Sequence, residues 1–356
     1  MDAKVTVGFI GMGRISDVHA LGYLSDDRAH IAAVCARNVE RAAAKAAQWG
    51  VPRDRAFADY HDLLALGDVN TVEILLPNHL HHEAVLEAIR AGKNVITQKP
   101  LAANLAEADE IIEAAGAAGV VLKVYDNFIF YPPFLRAKEL VDQGAIGEVT
   151  MMRMRTFAGR SDDAWTVPAD SWNWRTEREK TLGGSYLTDE GHHPYAMAWS
   201  FLGLPETVHA WHGTSVFSTS AGAVDLPCGV TWKCGNNKFF MWAMSKSESL
   251  EINTDGYYAA DDMTEITGTH GVLWINHGHG RLLDVPPVVV YRDRKTTAYS
   301  DMKTDFGQSF VMCTRNSIDA VLGEGEPLLS GSQGRDLLRC CLAAEQSAES
   351  SSEVDL

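Results

Sequence analysis

Over the first 125 residues, short β-branched runs alternate with longer amphipathic or Ala-rich stretches. Val5–Ile10 is apolar apart from Thr6 and Gly8, and gives way to Gly11-Met12-Gly13. Ile31–Ala36 is a second such run. Asn38 then suits an N-cap for an Ala-rich helix over Val39–Trp49, with Gly50 just past its end. Thr71–Leu76 predicts a third strand halted by Pro77, His81–Ala91 a helix closed by Gly92, and Asn94–Thr97 a fourth strand. Asn104-Leu105-Ala106-Glu107 reads as a capping box for a helix to Ala118, and Val120–Tyr125 as a fifth strand. Units of this length, alternating strand and helix, predict an α/β fold with a doubly wound parallel sheet.

The pattern changes after Tyr125. Pro132-Pro133 opens a helix that Gly144 closes, and Glu148–Phe157 has alternating character. From Val208 to Tyr299 the chain is strand-like, which predicts one large, open, mostly antiparallel sheet in a second α/β domain. An amphipathic helix is expected over Gln333–Ser347, with frayed residues after it. The domain division is expected at 1–125 and 126–356.

Composition narrows the possible functions. Forty-six per cent hydrophobic and 22% charged residues in 356 suffice for two buried cores. Thirty-one Lys plus Arg against 47 Asp plus Glu leave a formal charge of −16, which opposes a nucleic-acid or anionic-membrane partner and mildly disfavours a polyanionic substrate. No apolar run reaches the roughly 18 residues of a membrane span, and the first is too short for a secretory signal. The six cysteines, Cys35, Cys228, Cys234, Cys313, Cys340 and Cys341, show no CxxC spacing. They suit reduced thiols in a cytoplasmic protein.

Gly11-Met12-Gly13-Arg14-Ile15-Ser16 lies between the first strand and a helical stretch. A tight turn with close backbone approach, followed by a helix N-terminus, suits a dinucleotide pyrophosphate. Ser16 replaces the usual third Gly or Ala and is small enough for helix–strand packing. The end of the second strand, Cys35-Ala36-Arg37-Asn38, carries no carboxylate for a ribose 2′-hydroxyl. Arg37 suits a 2′-phosphate or stacking on adenine, so the chain leans toward NADP(H) with NAD(H) still open.

Three further segments carry a resemblance. Leu76-Pro77-Asn78-His79-Leu80-His81, Gly92-Lys93-Asn94-Val95-Ile96-Thr97-Gln98-Lys99-Pro100 and Gly183-Gly184-Ser185-Tyr186-Leu187-Thr188-Asp189-Glu190-Gly191-His192-His193 occur in order along the chain. They resemble the motifs of the glucose–fructose oxidoreductase, inositol dehydrogenase and rhizopine-catabolism (Gfo/Idh/MocA) family. Gln98 stands where the family has Glu, and Ala196 where it often has Asp. The resemblance implies a Rossmann domain, a second domain whose open sheet often forms oligomers, and oxidation of a sugar or polyol hydroxyl by NAD(P). It places Lys99, Asp189 and His193 at the chemistry. Cofactor contacts would come from Gly11, Gly13, Arg14, Ile15, Arg37, Pro77, Asn78, His81, Gln98 and Lys99. Substrate contacts would come from Asn127, Tyr131, Trp172, Trp174, Arg175, Asp189, His192 and His193. The Tyr-Pro-Pro run and the Asp-Glu-Gly-His-His segment resemble members acting on glucosides and related pyranoses.

The chemistry agrees with that mapping. Hydride leaves a carbinol carbon only as its hydroxyl proton is removed, so a base near neutral pKa is needed, and histidine supplies one. Asp189 and His193 are four apart and share a face if their segment is helical. An ammonium at a strand's carboxyl end, as at Lys99, would stabilise a developing alkoxide. Trp165, Trp172, Trp174 and Tyr186 offer flat rings to the C–H faces of a sugar, although core packing suits any one of them as well. The histidine groups at 79–82, 192–193 and 277–279 lack a metal-ligand interval, so no catalytic metal is expected; His277-Gly278-His279-Gly280 reads as a turn between strands. Two other readings remain. An NAD-dependent glycoside hydrolase would need a further base for the neighbouring carbon, and a non-catalytic nucleotide sensor would have no use for proton-transfer groups.

Overall fold

The protein is described by a computed structural model covering residues 4–165, 186–218, 222–235 and 237–356. One compact unit comprises Met1–Asn127 with Phe310–Leu338, and the other Phe128–Ser309 with Arg339–Leu356. The first break thus falls close to residue 125, and Phe310–Leu338 groups with the amino-terminal unit.

The amino-terminal unit is built on six strands: β1 (Val5–Ile10), β2 (Ala29–Cys35), β3 (Ala56–Phe57), β4 (Thr71–Ile74), β5 (Asn94–Gln98) and β6 (Leu122–Tyr125). Their spatial order is β3-β2-β1-β4-β5-β6, every pair parallel. Helices α1 (Ser16–Leu24), α2 (Val39–Ala46), α3 (Tyr60–Leu64), α4 (His81–Arg90) and α5 (Leu105–Ala118) connect them. Sequence pattern fixes several of the helix ends. Asn38 Oδ1 accepts from the Arg41 amide at the start of α2, and Asn104 Oδ1 from the Glu107 amide at the start of α5. Gly119 closes α5 at φ 66°. Between β1 and β4 the order of strands reverses, which opens the crevice where such sheets take ligands.

The structure corrects several expectations. The two-residue β3, too short to show a period, makes Thr71–Ile74 the fourth strand rather than the third. That strand stops at Ile74 and not at Leu76. The α-helix after Asn38 ends at Ala46, and its last turn, Ala47–Trp49, tightens to 3-10 geometry. Beyond β6 the sheet edge is met by returning chain: the Val124 amide donates to Leu329 O at 2.8 Å. Gly331 and Gly334 then lie so close to Leu122 and Val124 that a Cβ at either would fall 2.5 or 2.3 Å from a side-chain carbon.

Among the described residues, the carboxyl-terminal unit holds an eleven-stranded mixed sheet. Along it run Lys295–Tyr299, Val288–Arg292, Gly271–Ile275, Ala260–Gly268, Val149–Arg160, Lys238–Glu251, Cys228–Cys234, Pro205–His212 and Val354–Asp355. Neighbours on this path are antiparallel except Val149–Arg160 with Lys238–Glu251. Alternation sorts the faces: Phe240, Trp242 and Met244 are buried, while Phe239 and Met241 are exposed. The helix His192–Leu202 packs on the buried face, with Tyr195 5.2 Å from Trp232 and 6.0 Å from Trp242 between ring centroids. The last residues, expected to fray, are instead tied down: Val354 and Asp355 pair with Val208 and Thr207, and the Leu356 amide donates to Glu206 O. The helix Gly307–Leu322 has no counterpart among the expected elements.

Candidate active site

In the amino-terminal unit the candidate cofactor residues gather at the carboxyl ends of the parallel strands. Register places Ile10 beside both Cys35 and Ile74, and Ile74 beside Thr97. The turn after β1, Pro77 after β4, and Gln98-Lys99 at the end of β5 therefore line one edge, with Arg37 exposed just beyond β2.

The two turn glycines have different reasons. Gly11 has φ 102°, and a Cβ there would lie 2.5 Å from Leu75 O, so the fold itself demands glycine. Gly13 has no left-handed φ, and a Cβ would meet nothing within 4 Å. Nothing among the described residues requires glycine at 13, and the space over it is open. Ile15 leads into α1 without a side-chain cap, and the Ser16 and Asp17 amides turn back to Gly13 O and Arg14 O at 3.3 and 3.1 Å. Ser16 is fully buried, and its hydroxyl donates to Gly13 O at 2.7 Å.

Sequence reading missed Lys45. Its ammonium reaches from α2 to Gly13 O and Ser16 Oγ, each at 2.7 Å, and to Asp17 Oδ1 at 2.9 Å. Burial lowers its pKa against the opposing pull of Asp17. No local spacing joins residues this far apart in the chain, so only the tertiary fold reveals it.

Asn78 is buried, and its Nδ2 has no hydrogen-bond partner among the described residues. An unpaired buried amide is costly and suits an acceptor brought by a ligand. Together with the open space over Gly13, that amide is compatible with a dinucleotide at this edge. His81 is fully buried, its Nδ1 2.8 Å from Pro100 O and its Nε2 2.9 Å from Leu76 O. The ring thus ties the Pro77 turn to the segment bearing Lys99. Lys99 is itself buried at the end of β5. Gln98 donates through Nε2 to Nε2 of His19 at 2.6 Å.

The candidate catalytic residues of the carboxyl-terminal unit sit on a π-helical turn, Tyr186–Glu190, followed by the α-helix from His192. The expected single helix is therefore interrupted, and the four-residue spacing of Asp189 and His193 is not that of one continuous α-helix. The turn is held by a residue that sequence reading missed. Asp225 accepts from the Tyr186 amide at 2.9 Å and from the Leu187 amide at 2.8 Å. Gly191 permits the tight passage, since a Cβ there would lie 2.1 Å from Leu187 O. Asp189 and His192 are buried, while His193 is half-buried and stacks on Phe128 at 4.0 Å and 18°. Tyr131 is buried with its hydroxyl donating to Thr304 O at 2.9 Å. Asn127 is buried at the end of the amino-terminal unit. Trp172, Trp174 and Arg175 lie outside the described residues. Trp165 is described, in edge contact with Tyr257 and Tyr258.

Among the described residues, no group of three His, Cys, Asp or Glu is placed to hold a metal ion. No helix among them is long and apolar enough to cross a membrane.

Comparison with known proteins gives the family. Residues 5–126 match the oxidoreductase family with an NAD-binding Rossmann fold, and residues 134–274 match the GFO/IDH/MocA C-terminal domain. A myo-inositol 2-dehydrogenase of Thermotoga maritima is 27% identical over 354 residues, 98% of either chain. A 1,5-anhydro-D-fructose reductase of Ensifer adhaerens is 31% identical over 180 residues, so that match spans about half of each chain. The structure of a levoglucosan dehydrogenase in complex with NADH and levoglucosan superposes with a TM-score of 0.81 at 21% identity, covering 99% of each chain. The chain belongs to the Gfo/Idh/MocA oxidoreductase family and carries its NAD-binding Rossmann domain and its C-terminal domain in that order.

Proposed function

We propose that the protein oxidises a secondary hydroxyl of a neutral sugar, glycoside or cyclitol with NAD(P), with the pyranose 3-hydroxyl the favoured position. The observation that carries this reading is Lys99, a buried ammonium at the carboxyl end of β5, in a segment braced by His81 through Pro100 and by His19 through Gln98. Hydride acceptance is the chemistry the nicotinamide supplies when bound. The turn at Gly11–Ser16, Asn78 and Gln98 would hold the dinucleotide. Lys99 would lower the pKa of the substrate hydroxyl and stabilise its alkoxide. His193 would take the hydroxyl proton, and Asp189 would orient that imidazole or hold a neighbouring hydroxyl. The surplus of acidic residues favours a neutral substrate over a polyanion.

Relatives support the substrate class: an inositol dehydrogenase, an anhydrofructose reductase and a levoglucosan dehydrogenase all take sugars or cyclitols by name. Arg37 remains the residue that would discriminate NADP from NAD. Exposed Trp211, Phe239 and Met241 suit association of two copies through the large sheet. Sedimentation velocity of the wild type and of a Trp211→Lys/Met241→Lys variant would test that association.

The activity is tested with glucosides, levoglucosan and myo-inositol, offered with NAD and with NADP while absorbance of the reduced nicotinamide is followed. Single-turnover spectra of the protein as isolated cover the case of a retained cofactor. Reduction by at least one neutral sugar or cyclitol is expected. Nucleotide binding without turnover on any of them would favour the sensor reading.

A further inference from the structure

Phe128 carries an imidazole on each of two sides. His193 stacks on its face, and His279 meets it at 4.9 Å and 73°. The second imidazole has no part in the reaction proposed above, yet its surroundings are built. His279 Nδ1 lies 3.4 Å from Oδ2 of Asp262, both side chains being more than nine-tenths buried. That separation is within ion-pair reach and longer than a formed hydrogen bond; neither atom has a hydrogen-bond partner among the described residues.

The carboxylate is oriented from behind. Trp242 Nε1 donates to Thr156 Oγ1 at 3.1 Å, and the Thr156 hydroxyl donates in turn to Asp262 Oδ1 at 2.8 Å. One oxygen of Asp262 is thereby committed and the other is turned toward the imidazole. Gly278 makes the approach possible: a Cβ there would lie 2.5 Å from Oδ2 of Asp262. Phe306 at 3.8 Å and Tyr258 at 5.2 Å complete an aromatic clamp on the His279 ring. His277 is excluded from this arrangement, its Nε2 facing Val285 O at 2.9 Å. The segment His277-Gly278-His279-Gly280 is thus more than a connecting turn.

A base aligned by a carboxylate that is itself aligned is the arrangement by which proteins activate proton transfer. Hydride transfer to nicotinamide needs one such base, and His193 serves it. We propose that His279, aligned by Asp262, is a second proton-transfer group, acting on the carbon next to a ketone in the substrate. The substrate class is a keto-sugar or keto-cyclitol with a hydrogen on that carbon. Nε2 of His279 accepts the proton; the C–H pair becomes a C=C bond, and the carbonyl π pair moves to oxygen as an enediolate. Return of the proton to the same carbon restores the ketone. The step needs no oxidant or reductant, and Asp262 lies within ion-pair reach of Nδ1. This inference rests on the sugar-oxidising reading for its substrate class.

The test separates the two. Wild type, His279→Gln, Asp262→Asn and Thr156→Val are incubated in D2O with NAD and levoglucosan, methyl β-D-glucopyranoside or myo-inositol, and separately with 1,5-anhydro-D-fructose as a ready-made ketone. Thermal melts confirm folding, and Thr156→Val, which leaves both members of the dyad in place, covers a failure of either stronger variant to fold. Proton NMR should show wild type exchanging the hydrogen beside the carbonyl at least about tenfold faster than His279→Gln and Asp262→Asn, with Thr156→Val between. Nicotinamide reduction in the same variants should stay within about threefold of wild type. Oxidation without exchange overturns the inference and leaves the oxidoreductase reading standing. Exchange into the ready-made ketone without any oxidation does the reverse. Equal exchange in wild type and His279→Gln, or none on any ketone, also overturns the inference.

Discussion

His19 Nδ1 lies 2.6 Å from Glu73 Oε1, and neither side chain touches solvent. Gln98 donates its amide to the other ring nitrogen, so the proton of a neutral ring sits on Nδ1 and points at the carboxylate. Tyr23 donates to the second oxygen of Glu73 at 2.5 Å. Burial, reinforced by Glu73, holds the Tyr23 phenol well above its ordinary pKa, so it remains a donor. One buried carboxyl group is therefore met by two donors, and the chain of bonds ends on the residue before Lys99. Removing one partner of a buried pair costs about 3–5 kcal/mol, because the other is left uncompensated.

Glu73→Gln should accordingly lose stability of that order in urea unfolding. Gln98→Glu should also destabilise, by setting a second carboxylate against the same imidazole. The double variant moves the charge across the ring while keeping one donor and one acceptor for each nitrogen. It should recover at least about 1 kcal/mol relative to the sum of the singles. Strict additivity would contradict the chain of bonds described.

The turn glycines give a second contrast. Gly11→Ala forces a left-handed φ and a contact with Leu75 O, and should cost about 1–3 kcal/mol in nucleotide-free melts. Gly13→Ala meets nothing and should change that stability by less than about 1 kcal/mol. Its NAD affinity should nevertheless fall by about tenfold or more, read by quenching of tryptophan fluorescence. Unchanged affinity in Gly13→Ala would mean that no dinucleotide approaches the backbone at that glycine.

All six cysteines are buried. Burial pushes the Cys35 and Cys234 thiols up to about 11 and Cys313 to about 12. At neutral pH about one thiol in ten thousand or fewer would be ionised at such positions. Labelling by iodoacetamide, counted by mass spectrometry, should be slow in the native protein and reach all six in denaturant. Rapid native labelling of any of them would contradict this burial.

Asp26 predicts a small acid dependence. The Arg28 hydrogen bond is the main cause holding its carboxyl below the ordinary value. A depressed folded pKa means stability that is present above the unfolded value of about 4 and lost as pH falls through the folded one. Arg28 is over a third exposed, so solvent screening limits the contribution to less than about 1 kcal/mol. Asp26→Asn should be slightly less stable than wild type at neutral pH, and the gap should close in acid. A gap that widens in acid would reverse the assignment.

Much of the amino-terminal fold was legible because local signals agree there. Asn38 and Asn104 cap, Gly50 and Gly119 terminate, and β-branched runs fill a sheet buried on both faces. The two-residue β3 and the π-helical turn carry no period of their own and could not be read in advance. The candidate residues near the cofactor turn were legible as motifs. Their supports were not: Lys45, Glu73, Asp225 and Asp262 act across long sequence separations, as ordinary charged residues that only tertiary contact makes special. Gln98 was an unexplained departure in the sequence, and His19 supplies its partner in the fold.

We propose that Lys99 and His193 act on the hydroxyl being oxidised. Stopped-flow mixing of NAD-loaded wild type, Lys99→Ala and His193→Ala with the sugar that wild type oxidises decides it. Each variant should reduce nicotinamide at least about a hundredfold more slowly in the first turnover, while still binding NAD. First-turnover rates equal to wild type in both variants would contradict it.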